Sequence, residues 1–264
     1  MPDEKKPAAV PVPAATILLL RDGKSGLEVF MVKRHHQIDF VAGALVFPGG
    51  KIEPGDSDAA LAELSDGAEG WTADLRALGA GAIREAFEES GILLARDAVT
   101  GALVTAERLA ALDHYRGKLE KREARLADVL RNEKLKLAYD QLVHFAHWIT
   151  PDNMPKRFDT HFFLASSPIG HQGRHDGHES VDSVWIGPAQ AISDRKKWNV
   201  IFPTKLNLMK LDGSRTVAEA LSTARASKAL PVTPWVENTP DGQVLRIRDD
   251  AGYAQTSANM REAL

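Results

Sequence analysis

Cysteine is absent from the 264 residues. This excludes disulfides, thiolate zinc sites and cysteine nucleophiles together, and it agrees with a reducing cytoplasm. An excess of basic charge is also missing. Lys and Arg number 33 against 36 Asp and Glu, a net charge of −3, so long-range attraction to nucleic acid is not expected. Long hydrophobic runs are missing too: the apolar stretch from Ala14 to Leu20 is interrupted by Thr16 and falls far short of the roughly 20 residues of a membrane-spanning helix. The opening Met1-Pro2-Asp3-Glu4-Lys5-Lys6 mixes signs and lacks a signal-peptide cleavage pattern. A soluble cytoplasmic protein without a membrane or nucleic-acid partner is the expectation. Internal repeats are absent as well.

What is present is an ordinary globular composition, 44% apolar and 26% charged, enough to bury a core. Residues 1–13, rich in Pro, Ala and Lys, read as a loose arm. Ala15 to Leu20 and Leu27 to Lys33 read as two strands joined by the turn Asp22-Gly23-Lys24-Ser25-Gly26. Ala42 to Phe47 reads as a third, stopped by Pro48-Gly49-Gly50. From Trp71 to Glu89 the apolar positions Leu75, Leu78, Ile83 and Phe87 take helical spacing, with Gly91 placed for a left-handed helix end. Gly79 and Gly81 interrupt that pattern. Residues 105–148 read as a longer amphipathic helical region, with Leu119, Leu126, Leu130 and Leu137 on one face and Lys118, Glu120, Lys121, Arg122, Glu123 and Arg125 solvated; a lid or a dimer arm is the sharper alternative. Phe158 to Ala165 and Ser183 to Ile186 are strands again. Trp235 to Asn238 and Val244 to Ile247 form a hairpin around Thr239-Pro240-Asp241-Gly242.

The chemistry concentrates in Arg84-Glu85-Ala86-Phe87-Glu88-Glu89-Ser90-Gly91-Ile92. On a helix Glu85, Glu88 and Glu89 stand at i, i+3 and i+4, so three carboxylates leave one face. Like charges at that spacing repel, and a hard divalent cation such as magnesium or manganese reverses the sign of the interaction. Arg84 is placed to orient the group by bidentate hydrogen bonding. Upstream, Gly49 and Gly50 form a tight loop directly after a strand, where backbone approaches a ligand closely. A merely acidic surface helix is the alternative for the nine residues alone; the loop and the helix together favour a site.

Together these residues resemble the Nudix box, G-x5-E-x7-R-E-U-x-E-E-x-G-U, where U is a bulky apolar residue. Gly50 matches the first glycine, and Arg84, Glu85, Glu88, Glu89, Gly91 and Ile92 match the helical half. Ala86 puts a small residue at a U position, and Asp56 stands at the pattern's first glutamate. Residues 57–83, 27 in number, separate Asp56 from Arg84 where the pattern has seven. The branch of peroxisomal coenzyme A diphosphatases and their bacterial relatives carries an insertion there too, and the likeness extends over roughly residues 14–205. It includes Val41 to Glu53, His147 to Pro151, Arg157 to Phe163, and Glu179 to Ile186.

The resemblance implies an α+β Nudix fold, an α/β/α sandwich with a mixed sheet. The domain would span 14–212 with a helical insertion at about 100–148, and a C-terminal extension at 213–264 would pack on it or on a dimer partner. The implied reaction is magnesium- or manganese-dependent cleavage of a diphosphate bond in a nucleoside diphosphate-X substrate. Coenzyme A or an acyl derivative leads; ADP-ribose, dinucleotides and nucleoside triphosphates are the alternatives. Glu85, Glu88 and Glu89 with the Gly49 carbonyl would hold metal, Arg84 would orient the glutamates, and Glu88 or Glu179 would act as base. Arg34, Lys51 and Arg157 are the substrate-contact candidates, and Lys33 is a further cation near a phosphate. His171, His175 and His178 offer a zinc reading, against which their Gly-rich loop reads as a pocket rim. A Nudix-fold binding protein without catalysis and a helical interaction protein are the rivals from other classes. The hairpin at Trp235 and the amphipathic insertion make a homodimer an expectation.

Overall fold

The computed structural model describes residues 8–35 and 43–260. Residues 1–7 of the expected arm and Ala42 of the expected third strand lie outside them. The central element is a mixed sheet whose strands are apolar on both faces, as a sheet covered on both sides requires. Strand β1 (Val12–Gly23) and β2 (Gly26–Arg34) form the hairpin that the turn residues indicate, with Leu20 opposite Val29. β1 begins inside the stretch read as an arm. Two short strands, β3 (Leu45–Val46) and β4 (Gly49–Lys51), pair with β2 and β1 respectively. The third strand is therefore shorter than expected: Ala44 bridges Asn199 outside it, and Phe47 and Pro48 fall between β3 and β4.

Next come β5 (Ser65–Asp66) and helix α1 (Ala73–Ser90). Thr72 caps α1 by accepting the Leu75 N–H at 3.2 Å, and Gly91 ends it at φ 69°. The two glycines that interrupt the helical pattern have a packing reason. A Cβ on Gly79 would meet Trp71 and Tyr139 at 2.9 Å, and one on Gly81 would meet Ile52 at 2.5 Å and Asp56 at 3.1 Å. The loop bearing Asp56 thus lies directly on the helix.

After β6 (Ala95–Asp97) the expected long helical region proves to be three short helices and two strands. The helices are α2 (Ala106–Leu112), α3 (Arg116–Glu120) and α4 (Leu126–Glu133). Arg122 and Lys134 take left-handed φ values of 57° and 53°; Arg122 lies just past the end of α3, and Lys134 caps the end of α4. Beyond Lys134 the chain becomes β7 (Leu135–Ala138) and β8 (Val143–Ile149), with β5 and β6 pairing to β7 in a small separate sheet. The apolar set was sound even so: Leu119, Leu126, Leu130 and Leu137 are all buried in one cluster.

β9 (Phe158–Ser166) runs parallel to β1 and antiparallel to β8, and β10 (Ser180–Ile186) closes the far side against β2. Helices α5 (Pro188–Ser193), α6 (Phe202–Leu211) and α7 (Val217–Ala226) follow. Strand β11 (Pro231–Val232) then extends the main sheet beside β8, giving the order β10-β2-β1-β9-β8-β11. A last sheet contains β12 (Trp235–Thr239), β13 (Gly242–Arg246) and β14 (Ser257–Asn259).

Strand alternation divides the core in two. Ile17, Leu19, Phe30 and Val32 face α1 and the short helices. Leu18, Leu20, Val29 and Met31 face α5, α6, α7 and residues of the C-terminal segment such as Tyr253 and Ala258. Each fully buried Leu, Ile or Phe contributes roughly 1.5–3 kcal/mol. The result is a helix/sheet/helix sandwich. Among the described residues, no helix is long and apolar enough to cross a membrane.

Candidate active site

Arg84 organises the acidic end of the site. Its Nε and Nη2 donate to the two oxygens of Asp56 at 2.9 and 3.0 Å, a bidentate pair between side chains that are 6% and 0% exposed. Nη2 also donates to the Lys51 carbonyl at 3.0 Å, and Nη1 reaches Glu85 at 2.9 Å and Glu88 at 3.3 Å. The position where the box pattern has its first glutamate is therefore a buried anchor for the arginine. Asp56 in turn accepts the Glu53 N–H at 2.8 Å, which holds the loop in a turn. The surrounding carboxylates push the Arg84 guanidinium up, over the opposing effect of its burial.

Glu85, Glu88 and Glu89 leave α1 on one face, as their spacing requires. Burial raises Glu85 to about 7 and Glu88 to about 8, against the opposing pull of Arg84. Burial, reinforced by Glu85, holds Glu89 well above the ordinary carboxylate range. Three carboxylates, Asp56, Glu85 and Glu88, thus share one guanidinium already committed to Asp56, and Glu89 stands beside Glu85. This donor set is all oxygen and short of positive charge, and it fits a hard divalent cation.

The sign of the resulting pH dependence follows directly. Between the ordinary carboxylate value of 4.5 and about 8, the folded chain holds protons on Glu85 and Glu88 that the unfolded chain releases. Stability must fall as pH rises through that window. In chelator, the thermal midpoint is expected to drop by several degrees between pH 5 and pH 8, and millimolar magnesium should remove most of the drop. A midpoint that rises with pH in chelator would contradict the burial of these groups.

The glycine loop brings backbone against the acids. The Gly49 N–H donates to Glu89 at 3.2 Å. A Cβ on Gly49 would strike the Ala15 carbonyl at 2.5 Å, and one on Gly50 would strike Glu85 Oε1 at 2.5 Å. Because the Glu85 carboxylate can swing away, Gly50→Ala is expected to displace it while leaving the fold intact. Magnesium affinity should drop at least about tenfold, while the thermal midpoint in chelator moves by no more than about 2 °C, which is less than about 1 kcal/mol. Unchanged affinity by isothermal titration would show that Glu85 does not contact metal.

The remaining sequence candidates divide. Glu179 is exposed, yet its charge acts on both Glu85 and Glu89, which places it beside the cluster. Arg34, at the end of β2, exerts an opposing charge on Glu89, and its buried Nε has no hydrogen-bond partner among the described residues. Lys51 offers its carbonyl to Arg84 while its side chain is exposed. Arg157 is occupied elsewhere: its guanidinium donates to Thr150 and Ala9 carbonyls at 3.0 and 2.7 Å and pairs with Asp152. The three loop histidines do not gather. His171 is buried against the Val104 carbonyl at 2.9 Å, His175 bonds Ser183, and His178 is exposed.

Two features escaped the sequence reading. Arg116, on α3, is buried and donates to the Glu88 carbonyl at 3.2 and 3.0 Å and to the Arg174 carbonyl at 2.9 Å. It ties α3 and the 170–180 loop to the end of the acidic helix, where a cation suits the helix dipole. In sequence it was one cation among many on an amphipathic stretch. The second is a histidine group on β8 and β9, where burial holds His144 and His161 down at about 4. Its signal was the alternation in Asp159-Thr160-His161, which puts both side chains on one face of a strand.

A hollow of about 210 Å³ opens beside Glu88, walled by Arg116, Lys121, Arg174, His175 and His178. The short helices and the glycine-rich loop therefore form opposite sides of one basin next to the acids. A larger hollow of about 520 Å³ lies between Asp22, the 166–172 segment and α7. It borders none of the glutamates of α1, so the chemistry belongs to the smaller one.

Comparison with known proteins gives a consistent result. The NUDT19 Nudix domain family model matches residues 73–208. The acyl-coenzyme A diphosphatase NUDT19 of Xenopus laevis is 25% identical over 222 residues, covering 69% of this chain and 58% of that protein. The putative nudix hydrolase 7 of Caenorhabditis elegans is 29% identical over 153 residues, covering 57% of this chain and 43% of that protein. The chain thus spans only about half the length of these two relatives. The crystal structure of a NUDIX hydrolase from Alicyclobacillus acidocaldarius superposes with a TM-score of 0.66 at 26% identity, covering 83% of this chain and 99% of that one.

Proposed function

Because this chain belongs to the Nudix hydrolase family, we propose that it cleaves the diphosphate bond of a nucleoside diphosphate-X compound, with coenzyme A or an acyl-coenzyme A as the leading substrate. The observation that carries this reading is the convergence of Glu85, Glu88 and Glu89 beside the Gly49–Gly50 loop, where Arg84 reaches only Glu85 and Glu88 and is itself paired with Asp56. The likeness to the Xenopus laevis acyl-coenzyme A diphosphatase supports the choice of substrate class.

Glu85, Glu88, Glu89 and the Gly49 backbone are the residues that would hold magnesium or manganese. When bound, such an ion neutralises diphosphate charge and lowers the pKa of attacking water. Glu88, which lines the hollow beside the acids, would accept the proton of the attacking water. Glu179 is the alternative base, since it borders Glu85 and Glu89. Arg34 has hydrogen-bonding capacity left over and a charge directed at the cluster, which suits a phosphate oxygen. Asp56 fixes Arg84, and Arg84 fixes Glu85 and Glu88, so the acids stay in place as charge develops.

The test is product release from coenzyme A, acetyl-coenzyme A, ADP-ribose, NADH and nucleoside triphosphates, with magnesium, manganese or chelator. Metal-dependent turnover of coenzyme A or its acetyl ester above the others is the expected result. Turnover of another member would keep the hydrolase and replace its substrate. Folded, metal-binding protein that turns over none would favour a Nudix-fold ligand-binding protein instead.

A further inference from the structure

We propose that His147, Asp159 and His161 form a second divalent-metal site, of the zinc type, on the same face of the main sheet as the carboxylate cluster but separate from it. It does not depend on the hydrolase reading. β8 and β9 set His147 directly opposite His161, and Asp159 lies two residues from His161 on the same side of its strand. One ligand atom from each of the three lies within 4.8 Å of the others. His147 Nε2 is hydrogen-bonded to Asp159 Oδ1, and His161 Nε2 stands 3.7 Å from that same oxygen. Two imidazole nitrogens and a carboxylate oxygen thus point at one place, from two rigid paired strands.

A fourth residue orients this group. His161 Nδ1 lies 3.0 Å from His144 Nε2, so one of the two nitrogens carries the shared proton. With that proton on His161 Nδ1, its Nε2 lone pair faces the His147–Asp159 oxygen. A metal-ligating histidine characteristically donates its other N–H to such a partner. The side chains of His147, His161 and Asp159 are 16%, 18% and 37% exposed, so an ion has a path in and keeps open positions for water. Imidazole with carboxylate selects zinc-like transition ions; magnesium and calcium prefer oxygen alone.

The register separates the two sites. Ala15 on β1 is flanked by Gly50 on β4 and by His161 on β9. Gly50 lies beneath Glu85, and two strand spacings amount to about 10 Å between the rows of Gly50 and His161. No residue serves both sets. An ion at the histidines would border the sheet surface next to the carboxylates without sharing their ligands.

The experiment is a cobalt(II) titration of the full chain with excess magnesium present, followed by visible absorption and by calorimetry. The wild type should bind one equivalent with a visible band, and Glu85→Gln with Glu88→Gln should keep it. His147→Gln with His161→Gln should abolish it, and His144→Gln should weaken it by about 10–100-fold. Asp159→Asn is the second variant, should the paired histidine variant lose its circular dichroism spectrum; it too should lose the band. Absence of the band in the wild type, its loss in the glutamate variant, or its survival in either ligand variant would overturn the proposal.

Discussion

Arg84→Gln is expected to lower the thermal midpoint by roughly 10 °C, the largest stability effect of any single substitution in the site. The change removes one half of a buried pair and leaves the fully buried Asp56 carboxylate without its counter-charge. Breaking a buried pair on one side costs about 3–5 kcal/mol, and each kcal/mol moves the midpoint of a chain this size by about 2–4 °C. Arg84→Lys should recover little, since an ammonium cannot reproduce the fork that joins Asp56, the Lys51 carbonyl and Glu85. Asp56→Asn combined with Arg84→Gln should recover part of the loss, because no unpaired charge is then left behind. A calorimetric midpoint for Arg84→Gln within 2 °C of wild type would mean that the pair contributes little.

Glu88→Gln should act in the opposite sense on the two properties. Turnover is expected to fall by about 10²–10⁴-fold, the range for removing a general base, while the fold is kept. The side chain is buried and receives only long hydrogen bonds from Arg84, at 3.3 and 3.4 Å; an amide of the same shape keeps an acceptor and never takes on the charge that burial disfavours. In chelator the midpoint should therefore stay level or rise. Glu179→Gln, assayed alongside, assigns the base: whichever variant loses more in kcat at saturating substrate carries the proton. Retention of more than a tenth of wild-type kcat by Glu88→Gln would remove it from that role.

Local signals account for what the sequence disclosed. The end of α1 follows from Gly91, the β1–β2 hairpin from its turn residues, and the shared face of the three glutamates from helical spacing alone. What stayed hidden depends on partners far along the chain. Leu135 and Leu137 continue the leucine pattern of α4, and the switch to a strand is set by pairing with Ser65 and Ala95. The three helices from Pro188 to Ala226 carried no signal that was read from the sequence. Arg157 resembled a substrate contact because of its neighbours, yet backbone carbonyls claim it. The loop histidines are close in sequence and stay apart in space, whereas the ones that meet lie 14 residues apart on adjacent strands.

The separation of Asp56 from Arg84 has a thermodynamic reading. Closing a chain segment between two fixed points costs entropy only as the logarithm of its length. Extending the connection from seven residues to 27 therefore costs roughly 1.2 kcal/mol, if the segment were flexible. The two hydrogen bonds that clamp its ends are buried and charge-assisted, and the segment recovers more through β5 and the extra turns of α1. The closure point, and not the length between, is what holds the acidic helix against the glycine loop. Further lengthening at the exposed Glu69–Gly70 position should be tolerated, while one residue added between Lys51 and Asp56, both of which Arg84 holds, would not.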